Sequence, residues 1–374
     1  MNMYISRTDN SMLGNWWWSV DRWLLGALGL LIIFGTVLIA AASPAIAERL
    51  HQPSFYFVLR HFFYLVPAIV MIVGISMMSP KTIRRMASII FLIVLAMLFL
   101  VPVIGSEHNG AQRWISLGGF SLQPSEFIKP TFAVVAAWLF SSQHREHQFP
   151  GYMISCALCA LIVGLLLMQP DLGMTVVVSL VWAAQFFVAG LPLSIVAILF
   201  VLMVTGLFGV YMTFPHVSSR IDRFLDPQKG DTYQVDRSLE AFQNGGFFGT
   251  GPGQGEIKRV LPDAHADFIF AVSGEEFGLI LTTLLVALYG FIIWRGMQRV
   301  RHCENLFTML AVTGLLVQFG GQALIHMGSS LRLLPAKGMT LPFISYGGSS
   351  LLALGLSMGM ILGLTRQQAL KRSI

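Results

Sequence analysis

The chain has 374 residues, 55% of them hydrophobic and only 11% charged, with a mean hydropathy of +0.71. A soluble domain carries about 25% charged residues, so composition excludes a soluble globular fold and points to a polytopic membrane protein. The net charge of +6 and pI near 9.4 would suggest nucleic acid in a soluble protein; in this chain they reflect Lys and Arg gathering on the cytoplasmic side, and no nucleic-acid partner is expected.

Trp16, Trp17 and Trp18 precede the first apolar run and suit an interfacial anchor. Apolar stretches long enough to cross about 30 Å of hydrocarbon follow. The predicted fold is all-α, with ten spans near 23–43, 56–78, 87–105, 126–141, 152–168, 172–189, 193–214, 267–292, 305–327 and 346–364. They form a single integral domain over residues 1–374, with one long extracytoplasmic loop, 215–266, between the seventh and eighth spans. With the N-terminus inside, cytoplasmic segments hold twelve Lys and Arg against four in the short outer loops. That bias predicts cytoplasmic N- and C-termini. Cys156 and Cys159 fall inside a span and Cys303 is isolated, so neither a disulfide framework nor a zinc site is expected.

This orientation puts four polar segments on one outer face: 106–126, 169–171, 215–266 and 328–346. The first contains Arg113-Trp114 and then Gln123-Pro124-Ser125-Glu126, with Lys129 about one turn into the span. Ser125 suits an N-cap and Glu126 the positive end of the helix dipole. Lys129 shares a face with Glu126, and at that depth it must pair, snorkel or bind an anion. Asp171, after Pro170, caps the next helix or closes a buried network with Lys129. In the long loop, Arg220 and Arg223 can lie on one helical face and grip a pyrophosphate, or form ordinary ion pairs within a solvated loop.

Gly249, Gly251, Gly253 and Gly255 alternate without the G-x-x-x-x-G-K-[ST] spacing or a preceding strand, so no nucleotide site is expected, nor a haem. A backbone permissive enough for a bulky substrate to approach closely is the better reading. Lys258 and Arg259 follow, then Asp263, His265 and Asp267 at the mouth of the eighth span. An acid at such a mouth needs a reason to be there, and Asp267 reads as a catalytic base at a membrane surface. Glu275 lies about 12 Å deeper and about 80° round the helix, Glu276 about 180° round, so Glu275 is the better candidate for a polar interior path. A carboxylate pair in an apolar helix also fits a proton or cation route in a transporter. The segment Leu334 to Ser350, with Pro335, Lys337, Pro342, Ser345 and Ser349, is irregular backbone at membrane depth, tolerated where it lines a polar cavity.

Arg113-Trp114, Gln123-Pro124-Ser125-Glu126-x-x-Lys129, Pro170-Asp171-Leu172-Gly173, His265-x-Asp267-Phe268 and Pro342-Phe343-Ile344-Ser345-Tyr346-Gly347-Gly348-Ser349-Ser350 together resemble the SEDS family (shape, elongation, division and sporulation) of bacterial ten-span proteins. Ala264-His265 and Lys337 to Phe343 look like its division rather than its elongation members. The resemblance implies a peptidoglycan glycosyltransferase of the bacterial inner membrane, at the division septum. It implies lipid II as substrate, a class B penicillin-binding protein as partner and other divisome membrane proteins nearby. Asp267 aligns with the family's essential aspartate. Ala266 stands where threonine is usual and His326 where asparagine is usual.

In the scheme this implies, Asp267 takes the proton from the acceptor sugar's 4-hydroxyl, which attacks the donor's anomeric carbon with inversion. The leaving diphosphate needs cations. Arg113, Lys129, Arg220, Arg223, Lys258, Arg259 and Lys337 can supply them, with Glu126, His265, Ser345 and Ser349 as further substrate contacts and Asp171 and Glu275 as supports. A divalent cation, Mg or Mn, beside Asp267 would serve the same end, although no ligand spacing spells a metal cage. Two readings from other classes compete: a lipid II flippase with Lys129, Glu275 and Glu276 marking a transit path, and a non-catalytic scaffold for the transpeptidase.

Overall fold

The computed structural model describes residues 11–190, 233–335 and 338–366, apart from 109, 110, 118, 119 and 302, together with scattered positions between 201 and 226. The predicted seventh span, 193–214, lies largely outside the described residues. A short helix α1 (Met12–Ser19) leads into α2 (Arg22–Arg49), α3 (Tyr56–Ser76) and α4 (Pro80–Ile104). After a small sheet come α5 (Pro124–Arg145), α6 (Gly151–Met168) and α7 (Leu172–Val188). Beyond 232 the chain forms α8 (Tyr233–Gly245), the single turn α9 (Ile257–Val260), α10 (Ile269–Val300), α11 (Leu306–Ser330) and α12 (Gly348–Leu364). Six of these helices, α2, α3, α4, α6, α10 and α11, are long and apolar enough to cross a membrane; α7 and α12 are shorter apolar helices. The chain is a multi-pass membrane protein.

Consecutive long helices run antiparallel, so their ends sort into two groups. At one end, Asp21 caps α2 and pairs with Arg295 and Arg299 of α10, while Arg366 donates to the Met77 carbonyl. At the other end lie the 106–122 segment, the turn at 169–171, the 246–268 segment and the 331–347 segment. The first is not plain loop. Ser106–His108, Ala111–Leu117 and Phe120–Leu122 form β1, β2 and β3 of an antiparallel sheet in that order, with Ile115 opposite Leu122. An all-helical chain thus carries one local sheet, on the strand bearing Arg113 and Trp114.

Helices α5, α11 and α12 form the interior. Gln185 of α7 donates to the Ala133 carbonyl of α5 (2.7 Å) and the Leu310 carbonyl of α11 (3.0 Å), tying three helices by backbone groups that lipid could not satisfy. Helix α12 packs on α3 through Gly355, Gly359 and Gly363, where an added Cβ would lie within about 3 Å of Ala68, Ile75 and Met71 atoms. Small residues four apart allow this close approach, as is usual between membrane helices.

The eighth span departs from the expected 267–292. It starts at Ile269 and is broken at Gly278, whose φ of 72° lies in the left-handed region. The first of the alternating glycines, Gly249, meets that break. A Cβ on Gly249 would fall 2.2 Å from the Glu276 carbonyl oxygen, and one on Gly245 1.9 Å from that of Gly274. Gly245 and Gly249 therefore serve backbone-on-backbone packing against α10, and Gly255 makes room for the Glu275 carboxylate. Gly253, by contrast, has open space where a Cβ would stand and lines a groove with Lys258 and Arg259.

Candidate active site

Asp267 sits half-buried in the turn before α10. The turn is closed locally, with the Ala266 and Asp267 amides both donating to the Asp263 carbonyl at 2.9 Å. It is then clamped from the 338–346 segment. Ser345 Oγ donates to the Ala266 carbonyl (2.6 Å) and accepts from the Leu341 amide (2.7 Å); the Tyr346 amide donates to the His265 carbonyl (2.9 Å). The Asp267 carboxylate lies against Gly338, where a Cβ would come within 3.2 Å of Oδ2. Because the helical turn begins only after Asp267, wheel angles drawn from it to Glu275 and Glu276 do not apply.

The segment facing Asp267 is itself held by α11. His326 Nδ1 donates to the Met339 carbonyl (2.6 Å), which fixes the tautomer since a carbonyl can only accept. One turn earlier, Gln322 Nε2 donates to both the Thr340 carbonyl (3.0 Å) and Oγ1 (3.1 Å). Gln322 Oε1 accepts from Lys129 Nζ at 2.8 Å, and Lys129 also donates to Glu126 at 2.8 Å. Thr340 Oγ1 lies 2.6 Å from Ser350 Oγ. A continuous polar chain thus runs from Glu126 through Lys129, Gln322 and Thr340 to the backbone beside Asp267. Sequence reasoning missed Gln322; a glutamine inside an apolar span, four residues before His326, was the available signal.

Other expected site residues lie elsewhere. Arg113 donates to the Gln169 carbonyl (3.0 Å) and the Pro170 carbonyl (2.5 Å) and stands 3.9 Å from Asp171. It closes the α6–α7 turn. Asp171 caps α7 through the Met174 amide (3.2 Å) and pairs with Arg113, so it does not close a network with Lys129. Lys258 is buried in an ion pair with Glu276 and donates to the Ala41 carbonyl (2.8 Å), one turn before Pro44. Its charge is thereby committed to a carboxylate. Glu275 Oε1 accepts from the Glu256 and Ile257 amides at 2.9 and 3.0 Å, capping α9. Ser349 joins α12 to the start of α5 by accepting from the Gln123 amide (3.1 Å) and donating to the Ser121 carbonyl (3.2 Å). Arg259 is exposed and lines a groove of about 510 Å³ with Lys258, Glu48 and Gln52. Arg220, Arg223 and Lys337 lie outside the described residues.

His265 is held between Phe57 (ring centroids 4.6 Å apart) and Tyr346 (5.1 Å). Burial pushes its imidazole down to about 4 from an ordinary 6.5, with Asp263 opposing. It is neutral in the folded protein at pH values where the unfolded chain takes up a proton. Stability is therefore expected to fall as pH drops from about 6.5 towards 4, and His265→Phe should flatten that part of the profile. Melting temperatures of the detergent-solubilised protein check this; identical profiles for the two proteins contradict it.

A model of the cell cycle protein family that includes FtsW, RodA and SpoVE matches residues 21–370. The chain belongs to that family. It is 44% identical over 97% of its length to a probable peptidoglycan glycosyltransferase FtsW of Caulobacter vibrioides, covering 93% of that protein. It is 37% identical over 92% of its length to the Coxiella burnetii protein of the same name, covering 96% of it. Among solved structures it is similar to a chain of a peptidoglycan synthase complex that coordinates polymerization and crosslinking (TM-score 0.74, 26% identity, covering 92% of this chain and 97% of that one). It is similar also to the Thermus thermophilus rod shape determining protein RodA (TM-score 0.69, 27% identity, 93% and 97%).

Proposed function

We propose that the chain is a peptidoglycan glycosyltransferase that polymerises lipid II in the bacterial cytoplasmic membrane, with Asp267 as the general base. The observation that carries this is the clamped, half-buried Asp267, held at the end of the bundle where the polar segments meet. The near-full-length similarity to glycosyltransferases supports it.

Asp267 takes the proton of the acceptor 4-hydroxyl as its oxygen bonds to the donor's anomeric carbon; the bond to the lipid diphosphate breaks, and the electron pair leaves with the diphosphate. A positioned base contributes about 10²–10⁴-fold to such a step. The clamp from 338–346 fixes where the carboxylate stands, so the proton acceptor is in place before substrate arrives. Among the described residues no three His, Cys, Asp or Glu side chains converge as metal ligands, and no step here runs through a metal. Cytoplasmic termini, a septal location and a class B penicillin-binding protein as transpeptidase partner complete the reading.

The test is the purified chain in detergent, with lipid II and the partner transpeptidase, where no second leaflet exists. Glycan polymer is expected. No polymer under these conditions would favour a translocating or scaffolding role.

A further inference from the structure

Two basic residues fall inside the predicted spans, Lys129 and Arg60. Lys129 has Glu126. Arg60, one turn into α3, has no carboxylate within 4 Å among the described residues. Its Nη1 donates to the Tyr56 hydroxyl (3.1 Å), its guanidinium stands 5.7 Å from the Tyr56 ring centre, and the phenols of Tyr346 and Tyr64 also face it. Phenols are neutral at physiological pH, so the cation is solvated but not neutralised. A half-buried guanidinium one turn into a span, with no carboxylate partner among the described residues, is free to take an anion.

The cage is joined to the proposed base. The Tyr346 amide donates to the His265 carbonyl, two residues before Asp267, and the two rings lie 5.1 Å apart. Tyr64 rests on the start of α12, where a Cβ on Gly348 would come within 2.7 Å of its ring. The other described cations at this end that were expected to meet the diphosphate are mostly committed, Lys129 to Glu126, Lys258 to Glu276 and Arg113 to carbonyls and Asp171. Arg259 is exposed on the separate groove against α2.

We infer that Arg60, within its cage of Tyr56, Tyr64 and Tyr346, binds the phosphate groups of a polyprenyl diphosphate at the site served by Asp267. This rests on the glycosyltransferase reading and names a cation for its leaving group. A guanidinium suits it, because its fork can hold two phosphate oxygens at once.

The probe is undecaprenyl diphosphate, with phosphatidylglycerol as the competing source of a lipid phosphate, both titrated by native mass spectrometry on the full chain in detergent. Binding is measured on an Asp267→Asn background; polymer made by that variant would separately show that Asp267 is not the base. Arg60→Gln is expected to weaken undecaprenyl diphosphate at least about tenfold, the scale of a charge-assisted pair, and to leave phosphatidylglycerol unchanged. Arg60→Lys should fall between Gln and the parent, and it decides the matter if the Gln variant does not fold. Unchanged diphosphate binding in the variants overturns the assignment, as does an equal loss of both lipids, which would mark a general headgroup site.

Discussion

Replacing Lys129 with Met is expected to destabilise the protein by about 3–5 kcal/mol, because it leaves the Glu126 carboxylate buried without its partner. Lys129 is 1% exposed and Glu126 3% exposed, so neither can reach water to compensate. The loss should extend beyond stability. Gln322 bridges Lys129 to Thr340, and Thr340 belongs to the segment that stands beside Asp267. The double variant Lys129→Met, Glu126→Gln removes both charges and should recover most of the stability without recovering activity. Thermal unfolding in detergent and polymerisation assays check the two halves. Equal melting temperatures for the Lys129→Met variant and the parent would sink the account of the pair.

Replacing Asp267 with Asn should reduce polymerisation by about 10²–10⁴-fold while leaving insertion and folding intact. The substitution keeps shape and removes proton affinity. The clamp on this turn uses the backbone carbonyls of Ala266 and His265, which the change does not touch. A normal melting temperature is therefore expected together with a collapsed turnover number. A variant that fails to insert would place Asp267 in the fold instead of the chemistry.

Much of this was legible from residues alone. Apolar runs located the long helices because few charges interrupt them, and the motif segments fall at one end because consecutive spans alternate in direction. Asp267 stood out as an acid at the mouth of such a run. What was not legible depends on tertiary pairing. Nothing local tells that Lys258 meets Glu276, or that Arg113 reaches the carbonyls of Gln169 and Pro170; both cations read equally well as phosphate ligands. The break at Gly278 is invisible because the apolar pattern continues through it; its left-handed φ and the close backbone of Phe247 to Gly249 explain the glycine. Gln322 carries no charge and so gave little warning, yet it joins the buried ion pair to the segment beside the base.

The most direct measurement is the single-turnover rate of glycan bond formation by the purified protein as a function of pH, for the parent and for Asp267→Asn. The parent is expected to gain rate with pH along a single-proton limb, since only the ionised base can accept the sugar proton. The variant should be slow and lack that limb. A variant that forms glycan at the parent's rate, with the parent's pH dependence, would contradict Asp267 as the proton acceptor.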